Sequence, residues 1–148
     1  MSPGPAQEGR LVRHASAVAI GNFGVLIEGP SGSGKSSLAL QLMALGAELI
    51  ADDRTRITDQ PGHPWLRPPE RLAGVIEARG FGLLQVPARA GAPLRLIVDM
   101  AAPEPERLPE RREEVIFGVP IRRIRRVDAA HFPGAIVALA KGGWWQDV

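Results

Sequence analysis

The octapeptide Gly29-Pro30-Ser31-Gly32-Ser33-Gly34-Lys35-Ser36 constrains this chain more than any other segment. It satisfies the pattern Gly-x-x-x-x-Gly-Lys-Ser/Thr at every position. An apolar run, Phe23–Glu28, precedes it, and Ser36–Leu45 follows with Leu38, Leu42 and Leu45 at the spacing of one helix face. A strand, a glycine loop and a helix in that order turn successive N–H groups toward a common centre, and the helix dipole adds to their pull on an anion. The motif therefore predicts a phosphate loop that takes a nucleoside triphosphate. Its expected nucleotide-binding residues are Gly29, Pro30, Ser31, Gly32, Ser33, Gly34, Lys35, Ser36 and Ser37. Lys35 supplies a compact positive charge for the β- and γ-phosphates, and the Ser36 hydroxyl is a ligand for Mg²⁺.

Around the loop, Ser16–Ile20 alternates as a strand and Gly21-Asn22 is a turn signal, which predicts a hairpin with Phe23–Glu28. Gly46 stands where a helix-terminating glycine belongs, and Leu49–Ala51 reads as a short strand ending in Asp52-Asp53. Asp59–Pro69, rich in Pro and Gly, reads as a loop, with Pro68-Pro69 as a start for a short helix. Gly74–Ala78 and Leu83–Val86 read as strands about the Arg79–Gly82 bend, and Leu94–Met100 as a strand that is apolar apart from Arg95 and ends at Asp99. The acidic, Pro-containing stretch Ala101–Glu114 reads as an exposed loop, and Val115–Val127 as a basic strand. Asp128 is placed to cap a last helix through Lys141, with Pro133 limiting its start. The class is α/β with a β-rich second half, without the steady alternation of a doubly wound kinase.

A phosphate loop gives binding. Transfer also needs a carboxylate for the metal or for the nucleophile's proton. Asp52-Asp53 ends the strand after the loop's helix and can lie beside the loop, and Asp99 ends a second apolar strand. In Glu77-Ala78-Arg79-Gly80-Phe81-Gly82, Glu77 and Arg79 share one face if the strand runs through both. They then supply either a metal ligand and a phosphate contact or a surface ion pair. His14 taken alone is a surface histidine, and Trp144-Trp145 is expected to pack on the domain or a partner chain.

The 148 residues suggest one domain: a lead-in over 1–12 that is flexible, then a single unit over 13–148. With no Cys, thiolate chemistry and disulfides are excluded. No apolar run approaches the ~20 residues of a membrane span, and Met1–Gly9 lacks a signal pattern. A cytoplasmic protein without membrane contact is expected. Nucleic acid is not an expected partner: the net charge is only +2, and no aromatics interleave the cluster Arg122-Arg123 and Arg125-Arg126.

Several segments together resemble the catalytic domain of the HPr kinase/phosphorylase family. They are His14-Ala15, Gly24-Val25-Leu26 leading into the phosphate loop, Gly46–Asp53, Glu77–Gly82 (the family's E-I-R-G-L-G), Glu106–Glu110 and Gly118–Ile121. The resemblance implies a short single-domain form with a P-loop core like that of phosphoenolpyruvate carboxykinase. The implied activity is ATP- and Mg²⁺-dependent phosphorylation of a serine on the phosphocarrier HPr, in regulation of the phosphotransferase system, with phosphorolysis of phosphoserine as its reverse. It further implies Asp52 as the base, Asp53 and Glu77 beside Ser36 at the metal, His14 next to the site, Arg107 on the transferred phosphate, and a homohexamer. Where the family has P-G-R-N, this chain has Pro133-Gly134-Ala135-Ile136. A small-molecule kinase and a non-catalytic nucleotide sensor are the competing functions; paired carboxylates beside the loop argue against the sensor, which needs no base.

Overall fold

The structure, a computed structural model, describes residues 10–69 and 74–145. In chain order its strands are β1 (Arg10–Arg13), β2 (Ala15–Ile20), β3 (Phe23–Glu28), then, after helix α1 (Lys35–Ala44), β4 (Glu48–Ala51), β5 (Thr55–Gln60), β6 (His63–Arg67), β7 (Val75–Ala78), β8 (Gly82–Gln85), β9 (Ala92–Pro103), β10 (Glu113–Ile116) and β11 (Val119–Arg126). Helix α2 (Phe132–Gly142) follows.

The centre of the main sheet is β9, parallel to β3 on one side and to β11 on the other. β2 and β4 extend the sheet antiparallel beyond β3, and β10 extends it beyond β11. The start of β9 also pairs with β6, which carries β5 and β1, so the sheet curls. Parallel strands covered on both faces read as unbroken apolar runs, and β3 and β9 do. Val25, Ile27, Leu96 and Val98 meet Leu38, Ala39 and Leu42 of α1 and Phe132 and Ile136 of α2 on one face. On the other face Leu26 and Ile97 meet Ile57, Leu66, Ile116 and Ile121 of the curled strands. Arg95 is tolerated inside this run because the register slips there: Gly24 faces Leu94 while Val25 faces Leu96, so Arg95 is the extra, exposed residue of a bulge.

The hairpin of β2 and β3 closes through Gly21-Asn22 as expected. Helix α1 ends in a Schellman turn, with Ala47 N–H donating to Leu42 O and Gly46 N–H to Met43 O, both at 3.0 Å, and Gly46 at φ 109°. Ala39, rather than Leu45, completes the buried face of the helix; Leu45 is its half-exposed C-cap.

Other expectations are corrected. Residues 10–12, expected in the lead-in, belong to β1, where Leu11 packs half-buried beside β5; residues 1–9 lie outside the described residues. Asp59–Pro69 is not a loop: β5 and β6 pair through a Pro61-Gly62 turn, with Thr55, Ile57, Pro64 and Leu66 buried in alternation. The continuation of the helix expected from Pro68-Pro69 lies outside the described residues. Ala101–Pro103 belongs to β9, and Val115–Val127 is split into a hairpin at Phe117-Gly118, both at positive φ. Asp128 does not cap α2; His131 holds the N-cap position, and Asp128 pairs with Arg126. Trp144 stacks on Arg122 at 3.9 Å, and Trp145 is exposed.

Where β3 ends, Glu28 faces Asp99 of β9 across the parallel pair. Two like charges so placed repel. Arg123 of β11 lies between them, with Nη1 2.8 Å from Glu28 and Nη2 3.3 Å from Asp99, and Nη1 also reaches Glu114 at 3.2 Å. Arg13 of β1 closes the network onto Glu28 at 2.5 Å and Glu114 at 2.6 Å. Burial disfavours both guanidinium charges, but hydrogen bonds to these carboxylates outweigh it, and both pKa values stand above the ordinary value. Arg123→Ala leaves three half-buried carboxylates short of a cation, and a loss of about 2 kcal/mol is expected in urea unfolding. Gly46→Ala forces a Cβ into left-handed backbone, and a loss of about 1 kcal/mol at unchanged m is expected from the same measurement.

Candidate active site

The phosphate loop leaves the sheet at the carboxyl end of β3, where ligands gather in open α/β sheets. Its shape depends on the first glycine. Gly29 stands at φ 149°, and a Cβ there would lie 2.5 Å from Ser33 Oγ and 3.0 Å from Met100 Cβ. Ser33 N–H donates to Pro30 O at 3.1 Å, and Ser33 Oγ is buried with no hydrogen-bond partner among the described residues. Gly34 is the N-cap of α1; no side chain caps the first turn, and no acidic residue lies in it. Those N–H groups and the positive end of the helix dipole are left to an external anion.

Lys35 is buried, and its Nζ donates to Gly29 O at 2.8 Å and Pro30 O at 3.1 Å. That uses two of three ammonium donors, so one remains for a phosphate oxygen. Ser36 Oγ donates to Asp52 Oδ1 at 2.8 Å, joining the loop to the end of β4. Ser16 Oγ donates to the same oxygen, also at 2.8 Å. Two hydroxyls thus fix the carboxylate through Oδ1, while Oδ2 accepts no hydrogen bond among the described residues. Asp53 turns the other way, at φ 76°, a backbone state that a non-glycine residue adopts at a cost. Its Oδ1 lies 2.8 Å from His14 Nε2, and both side chains are exposed.

The structure therefore brings together Lys35, Ser36, Asp52, Asp53 and His14, with the loop residues Gly29 to Ser37. Ser16 was missed by sequence reasoning; its signal is one hydroxyl inside the apolar run Ala15–Ile20, where it is fully buried. Glu77 is exposed on β7 of the separate two-stranded sheet, and Arg79 lies past the end of that strand, so the two do not share a strand face. Arg107 is exposed in the segment between β9 and β10, and no hydrogen bond or ion pair joins Glu77 or Arg107 to the loop among the described residues. Asp99 is held by Arg123 and accepts Ala101 N–H at 2.9 Å. Arg123 and Arg126 of the basic cluster are likewise committed to carboxylates.

The donors fit a phosphate chain with a hard divalent cation. The first glycine of the cradle, Gly29, has no room for a Cβ, an unpartnered hydroxyl lies beside it, and Ser36 and Asp52 offer oxygen ligands only. No group of three or more His, Cys, Asp or Glu forms a metal cage among the described residues. Ser36 and Asp52 are the kind of oxygens through which Mg²⁺ binds, one or two from the protein plus substrate phosphates.

Comparisons with known proteins bear on the family. Residues 8–124 match the family described as HPr Serine kinase C-terminal domain. The HPr kinase/phosphorylase of Stenotrophomonas maltophilia (strain K279a) is 35% identical over 127 residues, covering 80% of this chain and 40% of that protein. That of Xanthomonas campestris pv. campestris (strain B100) is 38% identical over 114 residues, covering 72% and 36%. The chain thus spans about 40% or less of the curated relatives it matches. The structure of the Hpr(Ser) kinase/phosphatase from Coxiella burnetii aligns with a TM-score of 0.72 at 25% identity, covering 88% of both chains. Family match, identity and fold coincide: the chain belongs to the HPr serine kinase C-terminal domain family.

Proposed function

We propose that this chain is an ATP- and Mg²⁺-dependent kinase domain that phosphorylates a serine hydroxyl of HPr, and that the same site runs the phosphorolytic reverse. The observation that carries the proposal is the contact of Ser36 Oγ with Asp52 Oδ1 at 2.8 Å, which sets a carboxylate with one uncommitted oxygen beside the phosphate loop. Lys35 and the loop N–H groups bind the phosphates. Ser36 would hold Mg²⁺ through its lone pairs while its O–H goes on donating to Asp52, and Asp53 and Glu77, which stand away from the loop in this structure, would support the metal only after moving toward it. When bound, Mg²⁺ offsets the charge that develops on the phosphoryl oxygens.

Asp52 Oδ2 accepts the proton from the target serine as that oxygen forms its bond to the γ-phosphorus and the bond to ADP breaks. In the phosphorolytic direction an oxygen of inorganic phosphate bonds to the phosphoserine phosphorus, the serine O–P bond breaks and pyrophosphate leaves, and Asp52 relays the proton of the attacking phosphate to the departing serine oxygen. His14 holds Asp53 in its turned-out position, and Arg107 contacts the transferred phosphoryl group. The kinship of the P-loop core with phosphoenolpyruvate carboxykinase, a homohexameric assembly, a regulatory role in the phosphotransferase system and a cytoplasmic location belong to the same proposal. No helix among the described residues is long and apolar enough to cross a membrane.

The test mixes the protein with folded HPr and Mg-ATP and reads phosphoserine by mass spectrometry. Asp52→Asn is expected to lower kcat by about 10²–10⁴-fold with ATP binding retained, and chelation of Mg²⁺ to abolish transfer. Full transfer by the Asp52→Asn variant would remove Asp52 as the base. No transfer by the wild type, with ATP hydrolysis triggered instead by a metabolite, would favour a small-molecule kinase.

A further inference from the structure

Asp52 reaches the phosphate loop because β4 carries an extra residue. Val18 of β2 faces Leu49 and Ala17 faces Ala51, so Ile50 is the unpaired residue of a bulge. Ile50 and Ala51 both pack toward the curled strands, while Val18 and Leu49 pack under the helices. In the register that Val18 and Leu49 set, Asp52 would fall opposite Ala15, whose side chain belongs to the curled-strand face. The slip sets Asp52 opposite Ser16 instead, on the face that α1 covers.

Ser16 meets the carboxylate there. It has no exposed surface, its Oγ donates to Asp52 Oδ1 at 2.8 Å, and Asp53 N–H approaches the same Oγ at 3.5 Å. Its strand is paired on both edges, to β3 and to β4. Ser36, the other donor to Oδ1, stands instead on the helix that receives the phosphates. The torsion that turns an aspartate carboxylate is broad and nearly two-fold, so its two oxygens exchange places easily. Held by Ser36 alone, the carboxylate would be free to turn, and would follow Ser36 when that hydroxyl engages a ligand. A second donor on a doubly paired strand removes that freedom.

We infer that Ser16 is a positioning residue for phosphoryl transfer. It ties Asp52 Oδ1 to the sheet, so that Oδ2 keeps its aim at the acceptor hydroxyl while Ser36 serves the phosphate site. Ser16 itself touches neither the nucleotide nor the target serine. This role rests on the proposed part of Asp52 as the base.

The test is steady-state transfer to folded HPr, with Mg-ATP affinity measured separately by calorimetry. Ser16→Ala is expected to lower kcat about ten-fold, the effect of a reacting group set off its line. Its KM for ATP and its Mg-ATP affinity are expected to change less than about two-fold. Ser16→Thr keeps the hydroxyl and is expected to bring kcat back to within about three-fold of wild type. In an Asp52→Asn background, where the positioned oxygen no longer takes a proton, Ser16→Ala is expected to lower kcat by less than about two-fold more. If Ser16→Ala fails to fold by circular dichroism, Ser16→Cys, nearly isosteric with a weak donor, takes its place in both backgrounds. A folded variant with wild-type kcat overturns the role of Ser16. So does an equal loss of kcat with and without the Asp52 carboxylate, a parallel loss of Mg-ATP binding, or a folded Ser16→Thr as slow as Ser16→Ala. A wild type that transfers nothing to HPr, or an Asp52→Asn variant with full transfer, overturns the base assignment and this role with it.

Discussion

The parallel pairing of β3 with β9 is the constraint on which the rest of the molecule hangs. Because both strands are covered on both faces, helices must occupy one side and a second layer of strands the other. The curl of the sheet supplies that second layer from β1, β5, β6, β10 and β11. β3 ends opposite Asp99 while β9 runs on to Pro103, which puts the loop after β3 at the rim of a rigid platform. A phosphate cradle needs its N–H groups held to within a fraction of an ångström, and a strand locked on two sides provides that.

The end of β3 has an electrostatic side. Glu28 and Asp99 arrive together on the same face, and the strain is relieved by arginines from β1 and β11. The network is structural support set directly behind the loop. It separates the acidic residues of the region into two groups: those neutralised inside the platform, and Asp52 and Asp53, which face the loop and His14.

What the sequence revealed follows the range of each signal. The loop, the β2–β3 hairpin, α1 and the position of Asp52 rest on neighbouring residues, and all were legible. The β5–β6 hairpin was hidden because Pro61, Gly62, Pro64 and Pro68 outweighed a four-residue alternation of buried side chains. Pro64 is tolerated because β6 meets β9 only at Trp65 and Leu66 and is an edge beyond them. The turn at Phe117-Gly118 was hidden because Phe117 takes a positive φ that its type rarely adopts. The roles of Arg123 and Arg126 were illegible for a different reason. A run of arginines looks like a solvated or ligand-binding face unless its distant carboxylates are known. Ser16 sits between these cases, visible as an oddity but without a partner until β4 is placed beside β2.

The charged network also bears on the order of folding. Glu28 and Arg123 are 95 positions apart, and Arg13 and Glu114 are 101 apart, so the network joins the first strands to nearly the last. Contacts of such separation form late, after long stretches of chain have been closed into loops. During synthesis the strand that carries the phosphate loop emerges early and waits, its terminal carboxylate unmatched, until β11 leaves the ribosome. The rim that carries the loop would then be complete only once β11 had docked, so order at the end of β3 would report the docking of a strand 95 positions away.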